Sequence, residues 1–229
     1  MWVLSTACQT CPTGPNAPYN SSKSMTGNST NTPAQSIKYA DGAGITGKLA
    51  TDSVSIAGYQ TSPDYRFIET VSYTTMDAIT SSGFDGTLGF MFQSTRQLET
   101  FPRALFSFNS SIPKRFSTCI YADELEGEMI MGGVNIARLT TPVVTLPVES
   151  SPSRSGGPSV FNFWKTTMTG FSHSYLSSNI TSSVTVAFDT GTSLMYIPAD
   201  LARQLLEPLG LTTTDVCSCF IFMIRPLAI

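Results

Sequence analysis

The sequence predicts a mostly β fold, and three features of its 229 residues carry that prediction. Short segments such as Asp52–Ile56 alternate polar and apolar residues, which is the pattern of a strand with one buried face. Clusters of glycine, proline and asparagine separate these segments, as is typical of turns. The wider apolar spacing of a helix stands out in one segment, Pro198–Pro208, which stops at proline.

The predicted elements begin with a loop, because residues 12–36 are rich in Pro, Gly, Asn, Ser and Thr. A hairpin follows, with arms at Ile37–Tyr39 and Ile45–Leu49 and a glycine-rich turn at Asp41–Gly44. The glycine-dense segment Gly83–Phe90 predicts a close approach of two backbones. Further strands are predicted at Arg66–Tyr73, Phe116–Tyr121, Glu128–Met131, Val143–Val148, Phe161–Trp164 and Val184–Phe188.

Composition narrows the possible function classes. Charged residues make up 13% of the chain, about half the share usual in soluble domains, so the surface is built largely from Ser, Thr, Asn and Gln. The net charge is −3 and no cluster of Lys and Arg occurs, which argues against nucleic-acid binding. A zinc site is also not expected, because His173 is the only histidine and the cysteine count is odd.

The cysteines and the asparagine sequons bear on the compartment. Cys8 and Cys11 could form a redox pair or close a small disulfide loop, and the lack of a surrounding βαβ pattern favours the loop. The other three cysteines are Cys119, Cys217 and Cys219. Four glycosylation sequons begin at Asn20, Asn28, Asn109 and Asn179. Together with the polar, weakly charged composition, they favour a secretory route.

Neither end of the chain resembles a targeting or membrane segment. Met1–Leu4 lacks a basic stretch followed by an apolar run, so no signal peptide is expected in this chain. The apolar run Cys219–Ile224 is too short to cross a bilayer, so no membrane span is expected either. The predicted secretory character and the missing leader are reconciled if the chain is truncated at its N-terminus.

The most informative motif for chemistry is Val186–Pro198. The buried-type strand Val184–Phe188 leads into Asp189, followed by Thr190 and Gly191. Gly191 lets the backbone come close, and its N–H together with the Thr192 hydroxyl can hold the Asp189 carboxylate in its ionised form. A lone Asp-Thr-Gly is common by chance, but the whole string is not.

This string resembles the second active-site motif of pepsin-like aspartic endopeptidases. Segments upstream match the same family in the correct order: Met1–Val3 with Cys8 and Cys11, the hairpin Ile37–Gly47, Phe84–Gly89 and Gly132–Val134. The resemblance covers roughly residues 1 to 215 and implies a bilobal acid-protease fold with both lobes incomplete. It places an N-terminal lobe at 1–140, lacking its first active-site motif, a partial C-terminal lobe at 141–216, and an atypical tail at 217–229.

The resemblance also implies roles for individual residues. Asp189 would be one catalytic aspartate, supported by Gly191 and by hydrogen bonding from Thr192. Tyr39 would be the tyrosine of the hairpin that closes over substrate, with Trp2 as its hydrogen-bonding neighbour. The remaining predicted substrate contacts are Asp41 and Gly42, which would bind substrate backbone, and Phe84, which would line an apolar pocket. The disulfide would join Cys8 and Cys11.

The chemistry implied is peptide-bond hydrolysis at acid pH without metal or organic cofactor. Two close carboxylates share one proton: the ionised one takes a proton from water, and the protonated one donates to the scissile carbonyl oxygen. The implied partner is a peptide or protein substrate. The resemblance further implies a monomeric full-length form that is secreted or resides in an acidic, vacuole-like compartment.

Two departures limit what this chain is expected to do alone. The family's first Asp-Thr-Gly should lie immediately before Met1, and the sequence after Asp215 does not match the family's further strands. Asp189 therefore has no carboxylate partner in this sequence, since Asp85 reads as a turn residue. We expect a fragment that is inactive as a peptidase by itself.

Three other interpretations remain open. The first is a non-catalytic pseudoprotease or peptide-binding module that retains a cleft and a hairpin cover. The second is a homodimeric protease with one aspartate per chain, as in retroviral proteases, although those subunits are about one lobe long. The third, a secreted β-sandwich that binds glycans, explains none of the motif order.

Overall fold

The computed structural model describes residues 1–11, 17–30, 34–39, 42–74, 85–92, 98–120, 127–139, 141–153, 156–172, 180–192 and 196–209. The chain divides into two compact units, Met1–Pro113 and Lys114–Ile229, which we call the first and the second unit. This division comes earlier than the predicted boundary at residue 140, so the lobe limits 1–140 and 141–216 stay predictions. The predicted tail, residues 217–229, lies outside the described residues.

Strands dominate the described part of the chain, as the sequence predicted. In chain order they are β1 (Trp2–Leu4), β2 (Asn28–Ser29), β3 (Gln35–Lys38), β4 (Gly44–Thr51), β5 (Ser55–Ile56), β6 (Tyr59–Gln60), β7 (Arg66–Thr74), β8 (Gly86–Thr87), β9 (Phe116–Ile120), β10 (Gly127–Met131), β11 (Lys165–Phe171) and β12 (Ile180–Ala187). The helices are α1 (Phe101–Phe108) and α2 (Ala199–Leu206), with short 3₁₀ turns at Ser21–Lys23, Ile136–Arg138 and Glu207–Leu209.

The first unit is built on a six-stranded sheet in which β2, β4, β7, β1 and β8 lie side by side and β3 also pairs with β4. β1 runs parallel to β7, with Trp2 opposite Ile68, and antiparallel to β8. One apolar cluster packs on this sheet and contains Trp2, Leu4, Ile45, Ile68 and Tyr73. The central strands are therefore fixed by burial as well as by hydrogen bonding.

Helix α1 was missed in the sequence analysis, although its signal is present. Phe101, Ala104 and Leu105 are buried and recur at the spacing of a helix face, and Pro102 suits the first turn, where no backbone donor is needed. The ring of Phe101 lies 6.0 Å from that of Tyr65 and 5.7 Å from that of Phe90, so the helix packs against aromatic side chains of its own unit.

The second unit contains two separate two-stranded ribbons in its described part. β9 pairs with β10, as predicted, and β11 pairs with β12. Helix α2, which confirms the predicted helix at Pro198–Pro208, packs against the second ribbon. Its contact cluster joins Leu201 and Leu205 to Met168, Phe171, Val184 and Ile197.

Two predicted strands of the second unit are wrong. Val143–Val148 forms no strand, and Val143 and Val144 are 70% and 78% exposed, because no neighbouring strand in the described residues pairs with this segment. Phe161–Trp164 also lies outside regular structure, and the strand begins directly after it, at Lys165. Apolar composition alone thus misplaced both segments.

Candidate functional site

The hairpin made by β3 and β4 carries the first group of predicted site residues. Ile37 lies opposite Ile45 and Lys38 opposite Gly44, which brings the chain ends together around the turn. The Tyr39 N–H donates to the Ala43 carbonyl at 2.8 Å, and the Gly42 N–H donates to the Tyr39 carbonyl at 3.2 Å. Gly42 has φ of +89°, a conformation that favours glycine. The predicted hairpin is confirmed.

Tyr39 is anchored by the side chain of Trp2. The indole Nε1–H donates to the Tyr39 hydroxyl at 2.6 Å, which is the contact that the sequence analysis expected. Trp2 is 3% exposed and packs against Tyr73, with ring centroids 6.2 Å apart. Tyr39 itself is 38% exposed. The tyrosine ring is therefore partly open to solvent while its hydroxyl is held by a buried donor.

The position of Trp2 depends on a glycine in the neighbouring strand. A Cβ built on Gly86 would lie 2.5 Å from the carbonyl oxygen of Trp2, which is closer than real contacts allow. The Leu4 N–H also donates to the carbonyl of Asp85 at 2.8 Å. The close backbone approach predicted for Gly83–Phe90 is thus present in the described part of that segment, where β1 meets β8.

The predicted disulfide joins Cys8 and Cys11, whose Cα atoms are 5.6 Å apart. Thr10, inside this loop, uses its hydroxyl twice on Tyr73: it donates to the backbone carbonyl at 3.0 Å and accepts from the backbone N–H at 2.8 Å. The disulfide loop is therefore tied to β7 beside the aromatic group that supports the hairpin.

Two buried carboxylates of the first unit were not singled out from the sequence. Asp52 is 6% exposed and accepts hydrogen bonds from the Tyr19 hydroxyl at 2.8 Å, from the Ser53 N–H at 2.7 Å and from the Thr26 hydroxyl. Glu69 is 7% exposed and accepts from the Ser5 hydroxyl at 2.7 Å. The Asp52 carboxylate therefore ties Tyr19 and Thr26 to the residue that follows β4.

The donors around Asp52 change the ionisation of two groups. Burial raises the pKa of the Asp52 carboxyl, but hydrogen bonds from Thr26, Ser24, Tyr19 and the Ser53 N–H outweigh it, and the net pKa lies below 3.8. Burial, followed by the bond to Asp52 and the nearby negative charges, raises the pKa of Tyr19. Both pKa shifts favour the pair in which the Tyr19 phenol donates to the ionised Asp52 carboxylate.

Asp189 lies at the end of β12 in the second unit, in a tight turn. The Gly191 N–H donates to its Oδ1 at 2.9 Å, and the Thr192 hydroxyl donates to its Oδ2 at 2.7 Å. A Cβ at Gly191 would lie 3.2 Å from Oδ1, so a larger residue there would crowd the carboxylate. Both hydrogen bonds expected from the motif are present, and they orient the two oxygens separately.

The strand predicted before Asp189 is present, but the prediction that it is buried is wrong. Phe188 is 65% exposed, and Asp189 and its two neighbours are also exposed. In the described residues β12 pairs with β11 alone, and α2 covers one face of this ribbon, where Val184 packs. The alternate side chains of β12 therefore remain in solvent.

The remaining predicted site residues divide into two groups. Tyr39 and Gly42 lie together at the hairpin of the first unit, and Asp189, Gly191 and Thr192 lie together in the turn of the second unit. Asp41 and Phe84 lie outside the described residues. The role of each of these residues stays a prediction.

A cavity of about 270 Å³ lies elsewhere in the first unit. Its lining residues are Ser62, Asp64, Tyr65, Glu99, Ala104, Ser107 and Phe108. Tyr65 precedes β7, whereas the hairpin turn lies beside the other end of that strand, about 25 Å away at the usual rise per residue. This cavity is therefore separate from the hairpin.

The described ranges of the chain contain no helix that is long and apolar enough to cross a membrane. They also contain no group of three or more His, Cys, Asp or Glu side chains arranged to hold a metal ion.

The chain is similar in sequence to several known proteins. A family model described as "Eukaryotic aspartyl protease" matches residues 1–222. Secreted aspartic protease 4 of Candida albicans is 28% identical over 200 residues, which cover 85% of this chain and 43% of that protein. Rhizopuspepsin-1 of Rhizopus niveus is 27% identical over 217 residues, covering 92% of this chain and 51% of that protein. The chain thus spans about half the length of the curated relatives it matches.

A solved structure gives the corresponding comparison of folds. The aspartic proteinase from Irpex lacteus matches with a TM-score of 0.62 at 20% identity, covering 93% of this chain and 64% of that one. At this identity the likeness shows a shared fold.

Proposed function

Because this chain belongs to the eukaryotic aspartyl protease family, we propose that it forms part of an endopeptidase and contributes Asp189 as one of two catalytic carboxylates. The observation that carries the proposal is the Asp189 turn. One backbone N–H and one hydroxyl bind different oxygens of the same carboxylate, at 2.9 and 2.7 Å. These two bonds orient the carboxylate, and hydrogen bonds to the ionised form favour it, as a proton-accepting group requires.

The proposed reaction needs a second carboxylate. One ionised group accepts a proton from the attacking water, while its protonated partner donates to the carbonyl oxygen of the scissile bond. The 229 residues contain a single Asp-Thr-Gly, at Asp189–Gly191. The partner carboxylate of the proposal therefore comes from outside these residues, and the chain alone is expected to be inactive.

The hairpin of the first unit has a supporting role in this proposal. Tyr39 is fixed by the buried indole of Trp2, while Gly42 turns the tip without a side chain. A glycine-rich tip on an anchored base can approach a peptide backbone closely. We therefore assign Tyr39, Asp41 and Gly42 to substrate binding, with Phe84 lining an apolar side-chain pocket, and Gly191 and Thr192 to the support of Asp189.

The substrate, assembly and location belong to the same proposal. A peptide or protein is the substrate, and the full-length form acts as a monomer. Secretion, or residence in an acidic vacuole-like compartment, is supported by the similarity to a secreted aspartic protease of Candida albicans and by the weakly charged, sequon-bearing sequence.

The test compares two proteins: the protein purified from its natural source and the 229-residue chain alone. The protein from the natural source should cleave an acid-denatured protein at about pH 2–5, and pepstatin should block cleavage. Asp189→Asn should lower the rate by roughly 10²–10⁴-fold or more. Asp200→Asn is the matched control, because Asp200 is an exposed carboxylate paired with Arg203 on α2. Retained cleavage in Asp189→Asn, or cleavage by the isolated chain, would contradict the proposal.

A second candidate is a peptide-binding module without catalysis, favoured by the single Asp-Thr-Gly. It would bind pepstatin or peptides yet cleave nothing in either form. A homodimer with one Asp189 per chain is the third arrangement. In this arrangement the isolated 229-residue chain would become active once its concentration is high enough for dimers to form.

A further inference from the structure

The glycosylation sequons differ in the structural environment of their asparagines. Asn20, Asn28 and Asn109 lie in the described residues, and Asn179 does not. A sugar is attached to the side-chain Nδ2 and replaces one of its hydrogens. A sequon can therefore remain glycosylated in the folded protein only where Nδ2 is accessible and is not needed for structure.

Asn109 fails this condition. It follows the last residue of α1, and its Nδ2 donates to the carbonyl of Gln60 at 2.6 Å and to that of Leu105 at 2.8 Å. Both neighbours are acceptors, so both hydrogens of the amide are in use. A sugar on this nitrogen would remove one bond and force the helix end away from the Gln60 segment.

Asn28 meets the condition. It is exposed, and it begins β2, a two-residue strand at the edge of the sheet that pairs with β4 through Thr51 and Ala50. Three residues before it, Met25 is fully exposed. A large polar group can thus project from Asn28 without displacing packed atoms.

The hydroxyl of this sequon indicates when the attachment would occur. In the folded chain the Thr30 hydroxyl donates to the carbonyl of Leu49 at 2.7 Å, which draws it into the β2–β4 pairing. The transferase needs an unfolded, accessible Asn-x-Thr segment. Attachment therefore precedes the pairing of β2, and the fold that forms afterwards tolerates the product.

We propose that the folded protein carries an N-linked oligosaccharide at Asn28 and none at Asn109. The donor is a lipid-linked oligosaccharide diphosphate. The Asn28 amide nitrogen forms a bond to C1 of the first sugar and loses a proton, while the bond from C1 to the diphosphate oxygen breaks and the lipid diphosphate leaves. This inference requires passage through the secretory route but not the proposed catalytic role of Asp189.

The attached oligosaccharide also covers an edge of the sheet. β2 and β3 both pair with the same side of β4, so together they form the outer edge of the six-stranded sheet. Unpaired edge strands promote pairing between molecules. A hydrated oligosaccharide on Asn28 shields this edge by its bulk.

The experiment expresses the full chain in yeast behind a cleavable secretion leader. The folded secreted protein is treated with peptide N-glycosidase in ¹⁸O-water, which converts each glycosylated Asn into a mass-tagged Asp, and peptides are read by mass spectrometry. We expect the tag at Asn28 and an untagged Asn109. An untagged Asn28, or equal tagging of Asn109, overturns the proposal. Chain retained in the microsomal lumen is digested in the same way, so poor export does not remove the readout at Asn28.

Two variants separate the modification from its effect. Asn28→Gln should lose the tag and aggregate faster in light scattering than the glycosylated wild type, with an unchanged circular dichroism spectrum. Asn109→Gln should leave the carbohydrate content unchanged while lowering the unfolding temperature, because the helix end loses its amide donor. Equal aggregation of wild type and Asn28→Gln would overturn the shielding role.

Discussion

The first unit contains most of the buried apolar side chains that the structure describes, whereas the second unit leaves many of its large apolar side chains exposed. In the described part of the chain, fourteen of the eighteen buried apolar residues lie in the first unit, whereas twelve of the seventeen exposed large apolar residues lie in the second. The first unit offers a six-stranded sheet and a helix, while the second offers two-stranded ribbons with one helix. Isolated two-stranded ribbons bury little surface. The number of strands in a sheet, rather than the apolar content of the sequence, therefore determines how many apolar side chains each unit buries.

The largest expected effect comes from the same substitution made in each unit. Phe101→Ala in the first unit removes a ring with 0% exposure and should lower the free energy of unfolding by about 3–5 kcal/mol. Phe188→Ala in the second unit removes a ring that is 65% exposed and should change it by less than about 0.5 kcal/mol. Urea unfolding of both variants measures the difference. Similar losses would show that the two units do not differ in packing.

A second expectation concerns the buried acid of the first unit. Asp52→Asn removes a carboxylate with several donors and should destabilise the protein by roughly 1–3 kcal/mol at neutral pH. Since folding lowers the pKa of Asp52, this stabilisation is present at pH values above the unfolded-state pKa and disappears as the pH falls through the folded-state value. The gap between wild type and variant should therefore close in strong acid.

Urea unfolding at neutral and strongly acidic pH measures that gap. Asp64→Asn serves as the control, because Asp64 is an exposed carboxylate of the same unit. A gap that is independent of pH would show that the Asp52 charge is not involved.

A third, smaller effect is expected at the hairpin. Tyr39→Phe deletes the acceptor of the Trp2 indole N–H and should lower stability by about 1 kcal/mol. The indole proton should also exchange faster with solvent in NMR spectra. The indole proton of Trp164, in the second unit, is the internal reference and should not change. An unchanged Trp2 signal would exclude the hydrogen bond as the anchor of the hairpin.

The smallest effect on stability is expected at a buried hydroxyl that makes no hydrogen bond in the described residues. Within the described residues the Tyr65 hydroxyl has no hydrogen-bond partner, and burial together with the Glu99 charge raises its pKa. Tyr65→Phe should leave stability unchanged or raise it by up to about 1 kcal/mol. Tyr19→Phe should instead lower it by about 1 kcal/mol, because Tyr19 donates to Asp52. Thermal unfolding of the pair reports the sign.

Local patterns predicted the local parts of this structure. The β3–β4 hairpin, the helix α2 and the bonds from Gly191 and Thr192 to Asp189 each depend on residues close in sequence, and each was predicted. Helix α1 was missed although its apolar spacing was visible and its proline, Pro102, stands in the first turn, where a helix tolerates it.

The failures share a different cause. The burial of Asp52 depends on Tyr19 and Thr26, which are 33 and 26 residues away in sequence. The exposure of Val143–Val148 and of Phe188 depends on which strands lie alongside, and no pattern within those segments specifies their neighbours. Predicting burial requires the partner surface, which a single sequence does not supply for distant residues.

Gly86 has a consequence that reaches beyond its own strand. Any side chain there would clash with the backbone of Trp2, whose indole N–H binds the Tyr39 hydroxyl. A residue far from the hairpin in sequence therefore limits how the hairpin can sit. The base of the hairpin therefore depends on three positions at once: Gly86 leaves room for the Trp2 backbone, and Trp2 in turn holds the Tyr39 hydroxyl.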